Sequence, residues 1–215
     1  MNQKAAALFN IDQKEAAVKL LVQAIDAQPD DLDNYLQLGT YLTELKDFEQ
    51  AEELLQKACH RFPNNGDLNY DLGIVYYEAE HFELALQQFT QLIKTQPKSE
   101  NFLMLARIYF KQQNYPKAAA FALTAHEKAP DTAAPSILLG DSLLSMGQLQ
   151  SAKDFYLQAH KVDPDNLDAL FGAGMVTFIL DKDDRLLLQV KTKNAAYYDK
   201  QQQRLSEIEK FLRTK

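Results

Sequence analysis

The side chains of this sequence with chemistry to offer are four histidines, one cysteine and thirty carboxylates, and their spacing decides whether they can use it. A metal centre or an activated nucleophile needs several such groups converging on one point. Cys59 and His60 are chain neighbours, which is not ligand spacing, and none of His60, His81, His126 and His160 has a cysteine or carboxylate placed to complete a metal triad or a nucleophile pair. His126 and His160 stand 34 residues apart and read as helix-surface histidines. Adjacent acids such as Glu52 and Glu53 diverge by about 100° on a helix, so they cannot flank a substrate bond. The glycines are singletons, and no phosphate-cradling loop is formed. The sequence predicts no catalytic residue, no metal and no cofactor: a chain that is not an enzyme.

What must position these groups is a soluble helical framework. The composition, 46% apolar and 25% charged, is that of an ordinary globular protein. A single cysteine excludes an internal disulfide framework. Ala5 to Phe9 is too short an apolar run for a secretory signal, and no stretch approaches the roughly 18 residues of a membrane span, so a cytoplasmic protein is expected. Charge is polarised along the chain. Residues 1–100 carry 8 basic and 17 acidic side chains, whereas residues 185–215 carry 8 basic and 3 acidic. The acidic front argues against nucleic-acid binding, which needs clustered cations to neutralise phosphates.

The framework itself is periodic. Pro29, Pro63, Pro97, Pro130 and Pro164 are separated by 34, 34, 33 and 34 residues, and the same residue types precede each. Residues 32–65 contain Tyr35, Leu38, Gly39, Ala51, Leu55 and Ala58. The next unit has Asn69, Leu72, Gly73, Tyr76, Ala85, Phe89 and Leu92, and the third Phe102, Leu105, Ala106, Tyr109, Ala118, Ala122 and Ala125. The fourth has Leu139, Gly140, Leu143, Gly147, Ala152, Tyr156 and Ala159. Apolar residues at spacings of three and four, broken by polar turns such as Leu45-Lys46-Asp47 and Met146-Gly147-Gln148, predict two amphipathic helices per unit. Proline ends the second helix because it cannot continue the hydrogen-bond ladder. Gly39, Gly73 and Gly140 are expected opposite Ala51, Ala85 and Ala152, where small residues let two helices approach closely.

This set at this spacing resembles the tetratricopeptide repeat. The resemblance covers most of the chain and implies an all-α fold, a right-handed superhelical solenoid of stacked antiparallel helix pairs. The repeat array is placed at residues 1–180, with units near 1–31, 32–65, 66–98, 99–132 and 133–166 and a partial unit at 167–180, which Leu170, Gly174 and Phe178 supply. Leu92 and Ala122 depart from the family pattern. With the one short proline interval they predict an irregular joint between the second and third full units, with a local change of pitch. Residues 181–215 are expected to form a C-terminal helical cap, opened by the helix-starting acids Asp181 to Asp184 and carrying the stripe Leu187, Val190, Tyr198, Leu205, Ile208 and Leu212.

The resemblance further implies that the first helix of each unit lines a concave groove for another protein. By repeat position, that groove includes Leu36, Gln37, Thr40 and Glu44, then Tyr70, Asp71, Ile74, Tyr77 and Glu78. It continues through Leu103, Met104, Arg107, Phe110 and Lys111, then Ile137, Leu138, Asp141 and Leu144, and ends at Phe171, Met175 and Phe178. One subgroup of the family clamps the carboxylate of chaperone C-terminal tails with lysine, asparagine and arginine. Leu36, Thr40, Asp71, Glu100 and Met104 stand at those positions here, which argues against chaperone tails as partners. The function expected is a scaffold that holds a peptide or helix of a partner protein in an apolar groove. The alternatives are a homodimer formed through the groove or the C-terminal helix, and an RNA-associated factor using the basic tail from Arg185 to Lys215.

Overall fold

The computed structural model describes residues 1–213, with side chains described through Gln203 and at Ser206. Leu205, Ile208, Leu212 and the end of the basic tail therefore lie outside the described side chains. All the described elements are α-helices, and the chain divides into two compact units, Met1–Pro97 and Lys98–Lys215. The division falls at the joint between the second and third full repeats.

In the first unit α1 (Gln3–Asn10) pairs with α2 (Lys14–Ala27), α3 (Leu32–Glu44) with α4 (Phe48–Arg61), and α5 (Gly66–Glu78) with α6 (Phe82–Thr95). In the second, α7 (Ser99–Lys111) pairs with α8 (Tyr115–Lys128) and α9 (Ala133–Ser145) with α10 (Leu149–Val162). α11 (Leu167–Asp181) then packs on α12 (Arg185–Lys193), and α13 (Ala195–Arg213) follows. Within each unit the first helix of a pair also packs on the first helix of the next, as α3 does on α5 and α9 on α11.

Proline sets where the second helices stop. Gln28, Phe62, Gln96, Ala129 and Asp163 each precede the repeat proline and each is a C-cap with ψ between 70° and 90°. The pyrrolidine ring excludes the preceding residue from helical backbone angles, so the helix ends there in every repeat. The turns between paired helices close differently. Gln13, Asp47, His81, Asn114 and Gln148 each donate a backbone N–H to the carbonyl five residues back at 2.8–2.9 Å. That bond needs a left-handed residue just before it, and Asp12, Lys46, Glu80, Gln113 and Gly147 all have φ between 59° and 77°.

Gly39, Gly73 and Gly140 are tight for a reason the facing alanines do not supply. A Cβ on them would lie 2.8 Å from Leu55, 2.8 Å from Phe89 and 2.9 Å from Tyr156, so each glycine accommodates a bulky side chain of its partner helix. Leu55, Phe89 and Tyr156 are all at most 1% exposed. Burial of one such side chain contributes about 1.5–3 kcal/mol. In the third full repeat both members of the pair change. Ala106 and Ala122, both buried, stand at the positions that glycine and a large residue take elsewhere, and the neighbouring Phe121 stacks on Tyr109 with centroids 5.5 Å apart.

Within the second unit, α12 and α13 are held to the repeat helices by both apolar and ionic contacts. Leu187 and Val190 are buried in the same cluster as Tyr156 and Phe171. Lys193 bonds Asp165 and the Pro164 carbonyl and Tyr197 donates to Asp168, while Lys153 of α10 pairs with Asp181 at the end of α11. At the start of α12 it is Asp183 that works as the helix-starting acid. Its carboxylate accepts the Arg185 backbone N–H at 3.0 Å, and the Arg185 guanidinium holds its pKa down at about 2.

Candidate functional site

The candidate groove in the first unit is built on two neighbouring first helices, α3 and α5. N-cap acceptors start both. Asp31 takes the N–H of Asp33 and Asn65 that of Leu68, which satisfies a free donor in each first turn and fixes where each helix begins. Leu38 and Leu42 on α3, and Leu68, Leu72 and Val75 on α5, are buried. Their burial turns Thr40, Glu44, Asp71, Ile74 and Glu78 to the opposite side, where they line an open cavity of about 370 Å³. Thr43, Lys46 and Phe48 complete the lining; they come from the last turn of α3 and the turn into α4 and were not expected there.

The polar groups of this cavity are unequal. The hydroxyls of Thr40 and Thr43 donate to the carbonyls of Leu36 and Gly39 at 2.9 and 2.8 Å, so they are committed to their own helix. Asp71 is half-buried, and among the described residues no cation or N–H lies within hydrogen-bond reach of its carboxylate. Burial, reinforced by the nearby Asp67 charge, pushes its pKa up to about 6.

Other residues expected in this part of the groove are partly engaged. Tyr70 meets Phe89 edge-on at 5.5 Å and Tyr77 lies tilted against Phe82 at 6.1 Å, each remaining half-buried. Gln37 is a correction. It is 5% exposed, exchanges hydrogen bonds with the Asn2 backbone and donates to Tyr41, so it ties α1 to α3 and faces no solvent.

In the second unit the expected lining separates into surface and core. Arg107 and Lys111 are exposed, and Arg107 Nη1 lies 3.8 Å from Met104 Sδ. Leu103 and Phe110 are half-buried, with Phe110 edge-on to Tyr115 at 5.5 Å. Met104 is 2% exposed and is a core residue, as are Leu144 at 7% and Met175 at 0%. Phe171, 1% exposed, is covered by Tyr197 of α13 at 6.2 Å. Ile137 and Leu138 are half-buried against the same core. Asp141 accepts a 2.7 Å hydrogen bond from Tyr156, which makes it a brace between α9 and α10. For Met104, Leu144 and Met175 the physical reason is that α7, α9 and α11 pack on one another in turn, so an apolar side chain at a nominal groove position is drawn into the core.

Among the described residues no group of three or more histidines, cysteines and carboxylates is arranged to hold a metal ion, and no helix is long and apolar enough to cross a membrane.

Models of the tetratricopeptide repeat match residues 3–66, 42–105 and 136–166. Among relatives, a TPR repeat-containing protein of Methanocaldococcus jannaschii is 26% identical over 140 residues, covering 64% of this chain and 24% of that protein. The bovine BBSome complex member BBS4 is 22% identical over 170 residues, covering 79% and 33%. The chain thus spans a third or less of the length of these curated relatives. Among solved structures, a tetratricopeptide repeat protein of Parabacteroides merdae superposes with a TM-score of 0.70 at 17% identity, over 89% of this chain and 77% of that one. YrrB, described as a TPR protein with an unusual peptide-binding site, superposes with a TM-score of 0.60 at 20% identity, over 82% and 93%. These likenesses establish the solenoid fold of stacked helix pairs.

Proposed function

We propose that this chain, which belongs to the tetratricopeptide repeat family, is an interaction scaffold that holds a peptide or helix of a partner protein on the α3–α5 face and performs no chemistry of its own. Members of the family generally mediate protein–protein interactions. The observation that carries the reading is the open cavity between Thr40, Glu44, Asp71, Ile74 and Glu78. It combines half-buried apolar surface with polar groups at helical spacing, the composition that suits bulky anchors on a partner segment. Tyr70 and Tyr77, each only half-buried, extend the apolar surface along α5. YrrB, a protein of the same fold, carries a peptide-binding site, and that supports the reading without fixing its position here.

The test is site-specific photo-crosslinking in lysate from Thr40, compared with crosslinking from Gln87 on the exposed side of α6. The expected result is a partner captured from Thr40 and lost in an Ile74→Ala/Tyr77→Ala variant. Equal capture from both positions, or capture unchanged in that variant, would remove this face as the binding site.

A further inference from the structure

We infer that the α3–α5 cavity accepts a lysine or arginine side chain of the partner segment, an inference that rests on the groove reading above and names the chemistry it selects. The half-buried members of the lining are Thr43, Phe48, Asp71 and Ile74; with the Thr43 hydroxyl committed to its own helix, they present two apolar side chains beside one carboxylate. A long cationic side chain has the same two parts, an aliphatic stem and a charged head. Glu44 and Glu78 add two exposed carboxylates, against the single ammonium of Lys46.

Donor and acceptor counts point the same way. Thr40 and Thr43 have given their hydroxyl protons to helix carbonyls, so apart from Lys46 the cavity offers acceptors and no side-chain donors. An anionic or carbonyl-rich ligand would find almost nothing to bond. A wholly apolar ligand would strip water from Asp71 and leave it without a partner, which is costly for a carboxylate. An ammonium or guanidinium group supplies the missing donor, and its bond to a carboxylate is of the stronger, charge-assisted kind. The excess of 17 acidic over 8 basic side chains in residues 1–100 would also draw a basic segment towards this unit.

The experiment uses the full chain and three labelled probe peptides on one leucine-bearing helical scaffold, differing only in having lysine, glutamine or glutamate at the same positions. Binding is read by fluorescence anisotropy at physiological ionic strength. The lysine probe is expected to bind about tenfold tighter than the glutamine probe, as one charge-assisted bond implies, with the glutamate probe weakest. Asp71→Asn should remove most of that preference, while Asp26→Asn, which deletes the same charge from the exposed face of α2, should leave it intact. Equal losses in the two variants would mean diffuse attraction and overturn the inference. So would equal binding of the lysine and glutamine probes, or no binding of the lysine probe. The groove reading is judged separately by Ile74→Ala/Tyr77→Ala. If that variant weakens every probe while Asp71→Asn changes nothing, charge selection falls and the groove stands; if it weakens none, both fall.

Discussion

Ser136 Oγ lies 2.9 Å from His126 Nδ1, and one repeat later the same two positions hold Leu170 and His160, whose Nδ1 is buried without a hydrogen-bond partner among the described residues. The first unit uses these positions for Cys59 and Asn69, with Sγ 3.9 Å from Oδ1. A side chain near the end of a second helix thus meets one near the start of the following first helix, and its polarity has to be matched across that contact.

His160→Ile should therefore raise stability by up to about 1 kcal/mol, because it removes a stranded acceptor or donor and leaves an apolar side chain beside Leu170. His126→Ile should lower stability by about 1–3 kcal/mol, because it strands Ser136, which is 1% exposed. Urea midpoints of the two variants check the pair. Effects of the same sign would show that the ring nitrogens are not what distinguishes the two histidines.

The turn between paired helices gives a second prediction. Gly147 has φ 77°, and a Cβ there would meet nothing within 4 Å, so Gly147→Ala tests backbone strain alone and should cost about 1 kcal/mol. At the equivalent positions Lys46 and Gln113 already bear that strain, with φ 61° and 59°. Lys46→Gly and Gln113→Gly should come out neutral to stabilising, by up to about 1 kcal/mol, in thermal melts.

How far these features could be read from the sequence differs by feature. The repeat prolines fix five helix ends because a ring excludes one backbone region, and that constraint is written in a single residue type. The left-handed turn position is written in five residue types, and only Gly147 hints at it. In the groove, Thr40 and Glu44 are exposed, and Asp71 is half-buried beside them in the cavity lining. Met104, Phe171 and Met175 are buried, since an apolar side chain at the same repeat position is equally suited to a partner and to a neighbouring helix. Only the packing of α9, α11 and α13 decides between these. Asp71 is recognisable in the sequence as an acid, but its lack of a counter-ion is a fact of three dimensions.

The Ala106 and Ala122 pair predicts a non-additive result. In the second full repeat a Cβ on Gly73 would sit 2.8 Å from Phe89, so a large side chain at position 122 should collide with the Cβ of Ala106. Ala122→Phe alone should destabilise by about 1–3 kcal/mol. Added Ala106→Gly should recover part of that loss, whereas Ala106→Gly in the parent chain should cost about 1 kcal/mol. A double-mutant cycle in urea measures the coupling, and strict additivity would show that the two positions do not share the space.

If the cavity holds a basic side chain as proposed, Asp71 should make stability and binding respond oppositely to pH. Its carboxyl is raised in the folded chain from 3.8 to about 6, so the folded state favours the protonated form. Its contribution to stability is therefore complete below pH 4 and is lost as pH rises through about 6. Asp67 is the anion that reinforces this, and Lys46, Glu44 and Glu78 are the other charged groups that line the cavity. Asp71→Asn should be about as stable as the parent at pH 4 and more stable at pH 7.5. The gain should be about 1 kcal/mol, less than two pH units carry in full because the group is partly hydrated. A basic partner selects the ionised form, so the affinity of the lysine probe should rise between pH 5 and 7 in the parent and stay flat in Asp71→Asn. Thermal melts and anisotropy titrations at the same pH values check both halves. Parallel pH profiles for parent and variant would mean that Asp71 titrates like an ordinary surface acid and that its burial has no consequence for what the cavity holds.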